Sequence, residues 1–145
     1  MSTIQERESM REILFRGKNE KTGQWAYGVP LRCSRKTYIV KYVVWNYDTD
    51  GNEHLTAVGE IQVDPYTVGQ FTGLLDKNGN QIFEGDILNG LYGDMLVCFG
   101  EIIGYGMGFM WKPVIEDGKW ESITGFVDEY EVIGNKWDNP ELLNP

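Results

Sequence analysis

The stretch Thr-Tyr-Ile-Val-Lys-Tyr-Val-Val-Trp-Asn-Tyr, residues 37–47, decides the fold class. β-Branched and aromatic residues, which are enriched in strands, fill most of it. The turn-forming sequence Asp-Thr-Asp-Gly-Asn follows at 48–52, and a return strand is predicted at 55–63. Residues 37–63 are therefore predicted to form a long β-hairpin, and its tip should be acidic because it carries Asp48, Asp50 and Glu53.

The remainder of the chain continues this pattern. Short apolar or aromatic runs alternate with clusters of Gly, Asn, Asp and Pro, and five or six of them at about ten-residue spacing fit a small barrel or sandwich. Asp64 followed by Pro65 is the best helix start, but Gly69 and Gly73 limit it to one or two turns. The sequence thus predicts a mainly β, multi-stranded fold with at most one or two short helical turns.

Length and composition indicate one soluble globular domain spanning residues 1–145. The chain has 41% hydrophobic residues, enough for a core without disulfides or metals. If the domain has two lobes, they are expected at 11–75 and 76–145, and residues 1–10 are expected to be disordered. Since neither a membrane span nor a signal peptide is evident, the protein is expected to be cytoplasmic, without a membrane partner.

Charge is distributed unevenly along the chain. Residues 1–50 carry nine Lys/Arg and six Asp/Glu, whereas residues 51–145 carry four Lys/Arg and sixteen Asp/Glu. The net charge of the whole chain is −9. A general DNA-binding role is disfavoured, because such binding depends on cations that displace counterions from phosphate. A local basic and aromatic strip could still hold a single strand by charge and stacking, or could be a solvated edge that resists aggregation. Its members are Arg32, Arg35, Lys36, Tyr38, Lys41 and Tyr42.

Residues that could support catalysis or cofactor binding are few. Cys33 and Cys98 lie far apart in sequence and His54 is the one histidine, so a four-ligand zinc site is not expected. The two cysteines are predicted to be reduced, buried thiols. The glycine-rich segment 104–108 lies between two predicted strands rather than between a strand and a helix, so nucleotide binding is disfavoured. No cofactor, metal or catalytic residue is predicted.

Two acidic groups and the aromatic content suggest a binding role instead. Glu84 and Asp86 flank Gly85, where they could hold a cation, perform acid/base chemistry or form an ordinary turn. Together with Asp128 and Glu131 they form the predicted acidic binding surface. Aromatic residues make up 13% of the chain, and a surplus of Tyr and Trp can mark a surface for self-association.

Three segments of the sequence resemble one protein family. They comprise residues 11–18 with 25–28, residues 64–74 continuing through 76–79 to 82–87, and residues 132–135 with 138–143. Read together, they are similar to the YopX family of small bacteriophage and prophage proteins. This resemblance implies a mostly β fold whose C-terminal portion is an SH3-like barrel, and a cytoplasmic location in the bacterial host cell. It implies no catalytic residues.

Two functional hypotheses follow from these patterns. The first is a non-enzymatic phage or prophage accessory protein that binds a host or phage protein as a homo-oligomer. An acidic surface is an electrostatic complement for a basic partner. The alternative is a nucleic-acid-binding module that uses the basic and aromatic strip at 32–42.

Overall fold

The computed structural model describes residues 12–90, 93–102, 106–114, 121–122 and 129–144. These residues form antiparallel strands and two 3-10 turns, Pro65–Thr67 and Pro140–Leu143, so the prediction of a mainly β fold is confirmed. Residues 1–10, which were expected to be disordered, lie outside the described residues. The strands are β1 (Phe15–Lys18), β2 (Trp25–Cys33), β3 (Lys36–Val40), β4 (Tyr42–Tyr47), β5 (Glu53–Val58), β6 (Ile61–Val63), β7 (Gly69–Leu75), β8 (Gln81–Phe83), β9 (Asp86–Gly90), β10 (Gly93–Ile102), β11 (Gly106–Pro113), β12 (Glu121–Ser122) and β13 (Glu131–Asn135).

The chain divides into two compact units. One is Leu14–Gln70, and the other contains the chain from Phe71 onward. In the first unit, strands lie in the order β6-β3-β2-β1, and the start of β7 pairs with β1. Its core is built on Ala26, Ile39 and Val63. These three side chains are at most 7% exposed, so the burial of small and β-branched residues holds this sheet together.

The long hairpin predicted for residues 37–63 is present, but it is interrupted. Its base is the β3–β6 pair, and its outer part is the separate two-stranded sheet of β4 and β5. The interruption lies at Lys41 on one side and Gly59 on the other, where Gly59 adopts a φ of +69° that favours glycine. The base is therefore packed in the sheet of the first unit, whereas the outer part forms a hairpin of its own.

The 3-10 turn after β6 follows the sequence prediction. The Asp64 carboxylate accepts a hydrogen bond of 3.0 Å from the amide of Tyr66, and Pro65 occupies the first helical position. Asp64 therefore caps the turn as expected. The turn ends by Val68, and β7 starts at Gly69.

The second unit contains a sheet in the order β12-β11-β10-β9-β13, and β7 pairs with β8 through Phe71 and Leu75. Its buried core consists of Ile82, Leu88, Met95, Val97, Trp111 and Tyr130. Among the described residues of this sheet, β12 and β13 occupy the two ends of the order and do not pair. Closure into an SH3-like barrel, implied by the family resemblance, therefore stays a prediction.

Candidate interaction surfaces

Strands β4 and β5 place apolar side chains together on one face of their hairpin. Directly opposed residues of an antiparallel pair project to the same face, and the register sets Trp45 opposite Leu55. The members of this hairpin face are Val43, Trp45, Tyr47, Glu53, Leu55 and Ala57. The other face is more polar: there the Asn46 side-chain amide donates a hydrogen bond of 2.7 Å to the Thr56 hydroxyl.

The hairpin face is open to solvent. Trp45 is 66% exposed, Tyr47 67%, Leu55 56% and Val43 52%. Contiguous apolar patches of this kind often mark contact sites on monomers, and a lone two-stranded hairpin is at best marginally stable in water. Covering this face would remove apolar area from water and would also support the hairpin. The hairpin face is therefore the strongest candidate contact surface among the described residues.

A second apolar stripe lies on β2. Tyr27, Val29 and Leu31 alternate along the strand and so share one face, and they are 48%, 53% and 44% exposed. Ala26, directly before Tyr27, points to the opposite side, where it is buried in the core of the first unit. We call these three residues the β2 stripe.

The basic end of the β2–β3 connection lies directly beyond the stripe. Cys33 pairs with Lys36 across the turn, and Ser34 adopts a φ of +58° within it. Arg32, Arg35 and Lys36 are exposed there, and we call them the basic turn. No acidic residue occurs between positions 28 and 41, so the formal charges on this end of β2 and β3 are all positive.

The predicted nucleic-acid strip at 32–42 is only partly assembled. Lys41 and Tyr42 lie beyond the far end of β3, which extends for five residues, or roughly 16 Å at the usual rise of a strand. Tyr38, between the two ends, is partly buried. The structure therefore keeps three cations together at the basic turn and separates Lys41 and Tyr42 from them.

Glu84 and Asp86 belong to the turn between β8 and β9. The Asp86 carboxylate is 2% exposed and accepts a hydrogen bond of 2.8 Å from the amide of Phe83. Gly85, between the two acids, donates its amide to the carbonyl of Val97 at 2.8 Å. This arrangement matches the turn interpretation, and it places Asp86 inside the fold rather than on an exposed binding surface.

The other predicted acidic residues do not join this turn. Glu131 lies 3.6 Å from the Lys77 ammonium and accepts a hydrogen bond of 3.2 Å from the Asn78 side chain. Its strand partner Asn89 is three residues from Asp86 along β9, which is about 10 Å. Asp128 lies outside the described residues. Among the described residues, the predicted acidic surface is therefore two separate features.

The two cysteines differ in environment. Both are free thiols, but Cys33 is exposed and Cys98 is half-buried. The prediction of two buried thiols is thus wrong for Cys33, which lies at the end of β2 beside the basic turn. Burial raises the pKa of the Cys98 thiol above its ordinary value.

The described residues provide neither a metal-binding cluster nor a membrane-spanning helix. No group of three or more His, Cys, Asp or Glu side chains in that part of the chain could hold a metal ion. No helix among the same residues is long and apolar enough to cross a membrane.

Comparisons with known proteins establish the family. The family model described as YopX protein matches residues 14–144, nearly the whole chain. The chain belongs to the YopX family. A similar solved structure is the crystal structure of protein EF1440 from Enterococcus faecalis, with 26% sequence identity and a TM-score of 0.57, covering 92% of this chain and 99% of that one. No curated protein matches the sequence significantly.

Sequence analysis did not identify the two apolar surfaces. The β4 segment is apolar at five of its six positions, which is the pattern of a strand buried on both sides. The exposure of Trp45 depends on which strands pair with β4, and pairing is a tertiary property. Alternation of Tyr27, Val29 and Leu31 with Ala26 and Gly28 was the available signal for the β2 stripe, but it does not reveal which face is covered.

Proposed function

We propose that this protein is a non-enzymatic phage or prophage accessory protein that acts in the bacterial cytoplasm by binding a host or phage protein, as a homo-oligomer. The observation that carries the proposal is the exposed hairpin face, on which Trp45, Tyr47 and Leu55 are each more than half exposed. Aromatic residues of this kind are enriched at protein–protein contacts and dominate their energetics. Membership of the YopX family is consistent with a phage or prophage origin.

Charge supports a protein partner over a nucleic acid. The chain carries a net charge of −9, which repels phosphate and complements a basic protein surface. The separation of Lys41 and Tyr42 from the basic turn also leaves a shorter cationic surface than the strip at 32–42 would have provided. We therefore place nucleic-acid binding second, with the basic turn as its one remaining anchor.

The proposal is tested by capturing tagged protein from infected or lysogenic cells at low and high salt. A host or phage protein recovered in stoichiometric amount is the expected result, and mass spectrometry identifies it. A contact dominated by apolar burial survives high salt, whereas a phosphate contact weakens steeply as salt rises. Recovery of nuclease-sensitive material that is lost at high salt would overturn the proposal in favour of nucleic-acid binding.

A matched variant pair connects the capture to the surface. Trp45→Ser combined with Leu55→Ser makes the hairpin face polar, whereas Tyr66→Ser removes an aromatic side chain that is 87% exposed on the 3-10 turn. The proposal expects the Trp45/Leu55 variant to lose at least one of self-association and capture, and the Tyr66 variant to behave as the wild type in both. Absence of any stoichiometric partner in the wild-type eluate, with the protein a monomer in solution, would refute it.

A further inference from the structure

The hairpin face and the β2 stripe have matching dimensions. Val43, Trp45 and Tyr47 lie at alternate positions of β4, and Tyr27, Val29 and Leu31 lie at alternate positions of β2. Alternate residues of a strand are about 6.6 Å apart. Each surface therefore presents three apolar side chains over about 13 Å, and each continues directly into a turn.

The two turns carry opposite charge. The hairpin ends in an acidic tip formed by Asp48, Asp50 and Glu53, and residues 42–58 contain no Lys or Arg. The β2 stripe ends in the basic turn formed by Arg32, Arg35 and Lys36. Lys36 lies opposite Cys33 on the face of the stripe, whereas Arg32 lies opposite Thr37 on the other face. Hydrogen bonds from Asn52 hold the pKa of the Asp48 carboxyl below its ordinary value. The order along each surface is the same: three apolar side chains, then charge.

We propose that the hairpin face of one copy packs on the β2 stripe of a second copy, with its acidic tip beside the second copy's basic turn. Both surfaces are exposed within a single chain, so a second copy can reach both. Charge complementarity favours the β2 stripe of a second copy as the surface that the hairpin face binds. Two acidic hairpin tips, or two basic turns, would repel each other. The inference rests on the homo-oligomer of the proposed function and specifies its interface.

The geometry of the assembly follows from the difference between the two surfaces. A contact between unlike surfaces is head-to-tail, and such contacts close into rings when the rotation between copies permits. Every copy then contributes one hairpin and receives another. The hairpin also gains a cover for its apolar face, which a lone two-stranded sheet needs for stability.

Two double variants test the hairpin face and the β2 stripe one at a time. In the donor variant, Trp45→Ser and Leu55→Ser remove the hairpin face, and in the acceptor variant, Val29→Ser and Leu31→Ser remove the β2 stripe. Sedimentation equilibrium of the purified full chain is expected to show an oligomer for the wild type and for Tyr66→Ser. Each double variant is expected to dissociate roughly tenfold more readily, or more. A monomeric wild type, or an oligomer unaffected by either double variant, would overturn the inference.

Mixing the two variants gives the sharpest test. The donor variant keeps an intact β2 stripe and the acceptor variant keeps an intact hairpin face, so the mixture should form a one-to-one heterodimer that goes no further. If two hairpins pack against each other instead, the acceptor variant stays oligomeric and the mixture yields no heterodimer. That result would refute the inference while leaving the homo-oligomer of the proposed function standing.

Exchanging charges between the acidic tip and the basic turn tests the same interface if the acceptor variant fails to fold. Arg35→Glu and Asp50→Arg change exposed turn residues outside the strands. Each is expected to weaken self-association, and the two together are expected to restore it, because the ion pairs re-form with reversed sign. Equal weakening in the single and combined variants would count against the tip-to-turn contact. If a monomeric variant still captures a host or phage protein, the partner binding of the proposed function stands even where the proposed interface fails.

Discussion

The carboxylate of Asp76 accepts a hydrogen bond of 2.9 Å from the backbone amide of Val132, 56 residues later in the chain. It also accepts amide hydrogen bonds of 2.8 Å from Asn78 and Asn80 in its own turn. Burial alone would raise the pKa of Asp76, but these hydrogen bonds outweigh it and hold the pKa below its ordinary value. One ionised side chain thus ties the β7–β8 turn to β13.

Replacing Asp76 by Asn is expected to lower the free energy of unfolding at neutral pH by about 1–3 kcal/mol, because the amides of Asn78, Asn80 and Val132 lose a charged acceptor. In the wild type, the contribution of this carboxylate is fully present above its unfolded-state pKa of about 3.9 and is lost as the pH falls through its lower folded-state pKa. Urea unfolding at pH 7, 5 and 3 should therefore give a shallower pH dependence for Asp76→Asn. Parallel curves for the two proteins would contradict this.

Asp48 offers a matched control, because residues 48–52 and 76–80 share the pattern Asp-X-Asp/Asn-Gly-Asn. The Asp48 carboxylate accepts hydrogen bonds of 2.9 Å from the Asp50 amide and 2.8 Å from the Asn52 amide, all within an exposed turn. Asp48→Asn is expected to destabilise the protein much less than Asp76→Asn in the same urea series. Equal destabilisation would show that the local turn bonds, and not the bond to Val132, carry the effect.

Gly85, in the β8–β9 turn, is predicted to tolerate substitution by alanine less well than Gly79, in the β7–β8 turn. Its φ is +89°, and an added Cβ would lie 2.2 Å from the Trp137 ring. Gly85→Ala should therefore cost about 3 kcal/mol or more, from left-handed backbone strain together with overpacking. Gly79→Ala is the control, since Gly79 has a φ of +81° with no atom near the added Cβ, and about 1 kcal/mol of strain is expected there. Similar unfolding free energies for the two variants would refute the packing argument.

The two thiols are predicted to react at different rates. Cys33 is exposed, whereas Cys98 is half-buried and burial raises its pKa, so less of the reactive thiolate is present at Cys98. Maleimide labelling of the native protein at pH 7, followed by mass spectrometry, should modify Cys33 first. Cys33→Ser should remove the fast phase and Cys98→Ser should retain it. A single fast phase that modifies both residues would contradict the buried position of Cys98.

Local chemistry made much of the fold predictable. Asp64 and Pro65 start a turn because of their own hydrogen-bonding and φ preferences, and residues 76–80 reverse the chain because Asp76 accepts its own turn amides. β Propensity and the turn sequence at 48–52 placed a hairpin at 37–63, which the structure contains with an interruption. These signals operate within a few residues, where sequence determines structure most directly.

Candidate surfaces were less predictable because exposure depends on distant contacts. Asp86 was proposed as a binding residue, yet it is buried by the turn it caps, and the spacing Glu-Gly-Asp fits either role. Trp45 lies in the segment with the strongest strand signal, residues 37–47, and is two-thirds exposed. The decisive fact is the interruption at Lys41 and Gly59, since it separates the outer hairpin from the sheet of the first unit.

The outer hairpin is predicted to serve interaction rather than folding. Strands β4 and β5 pair with each other and with no other described strand, and the bond from the Lys41 amide to the Val58 carbonyl lies within the segment itself. Replacing residues 41–59 by Asn-Gly should connect Val40 to Glu60 through a tight turn that suits a hairpin. The β3–β6 pair, through Thr37, Tyr38 and Ile39, should remain intact.

This shortened protein is expected to keep its unfolding midpoint within about 4 °C of the monomeric donor variant, because none of the side chains removed with β4 and β5 is fully buried. It should also lose self-association, and it should still accept the hairpin of the acceptor variant, since its own β2 stripe is unchanged. Circular dichroism and sedimentation equilibrium measure the two properties on one sample. Loss of the folded state would show that the hairpin contributes to the core, whereas retained oligomers would place the self-association surface outside residues 41–59.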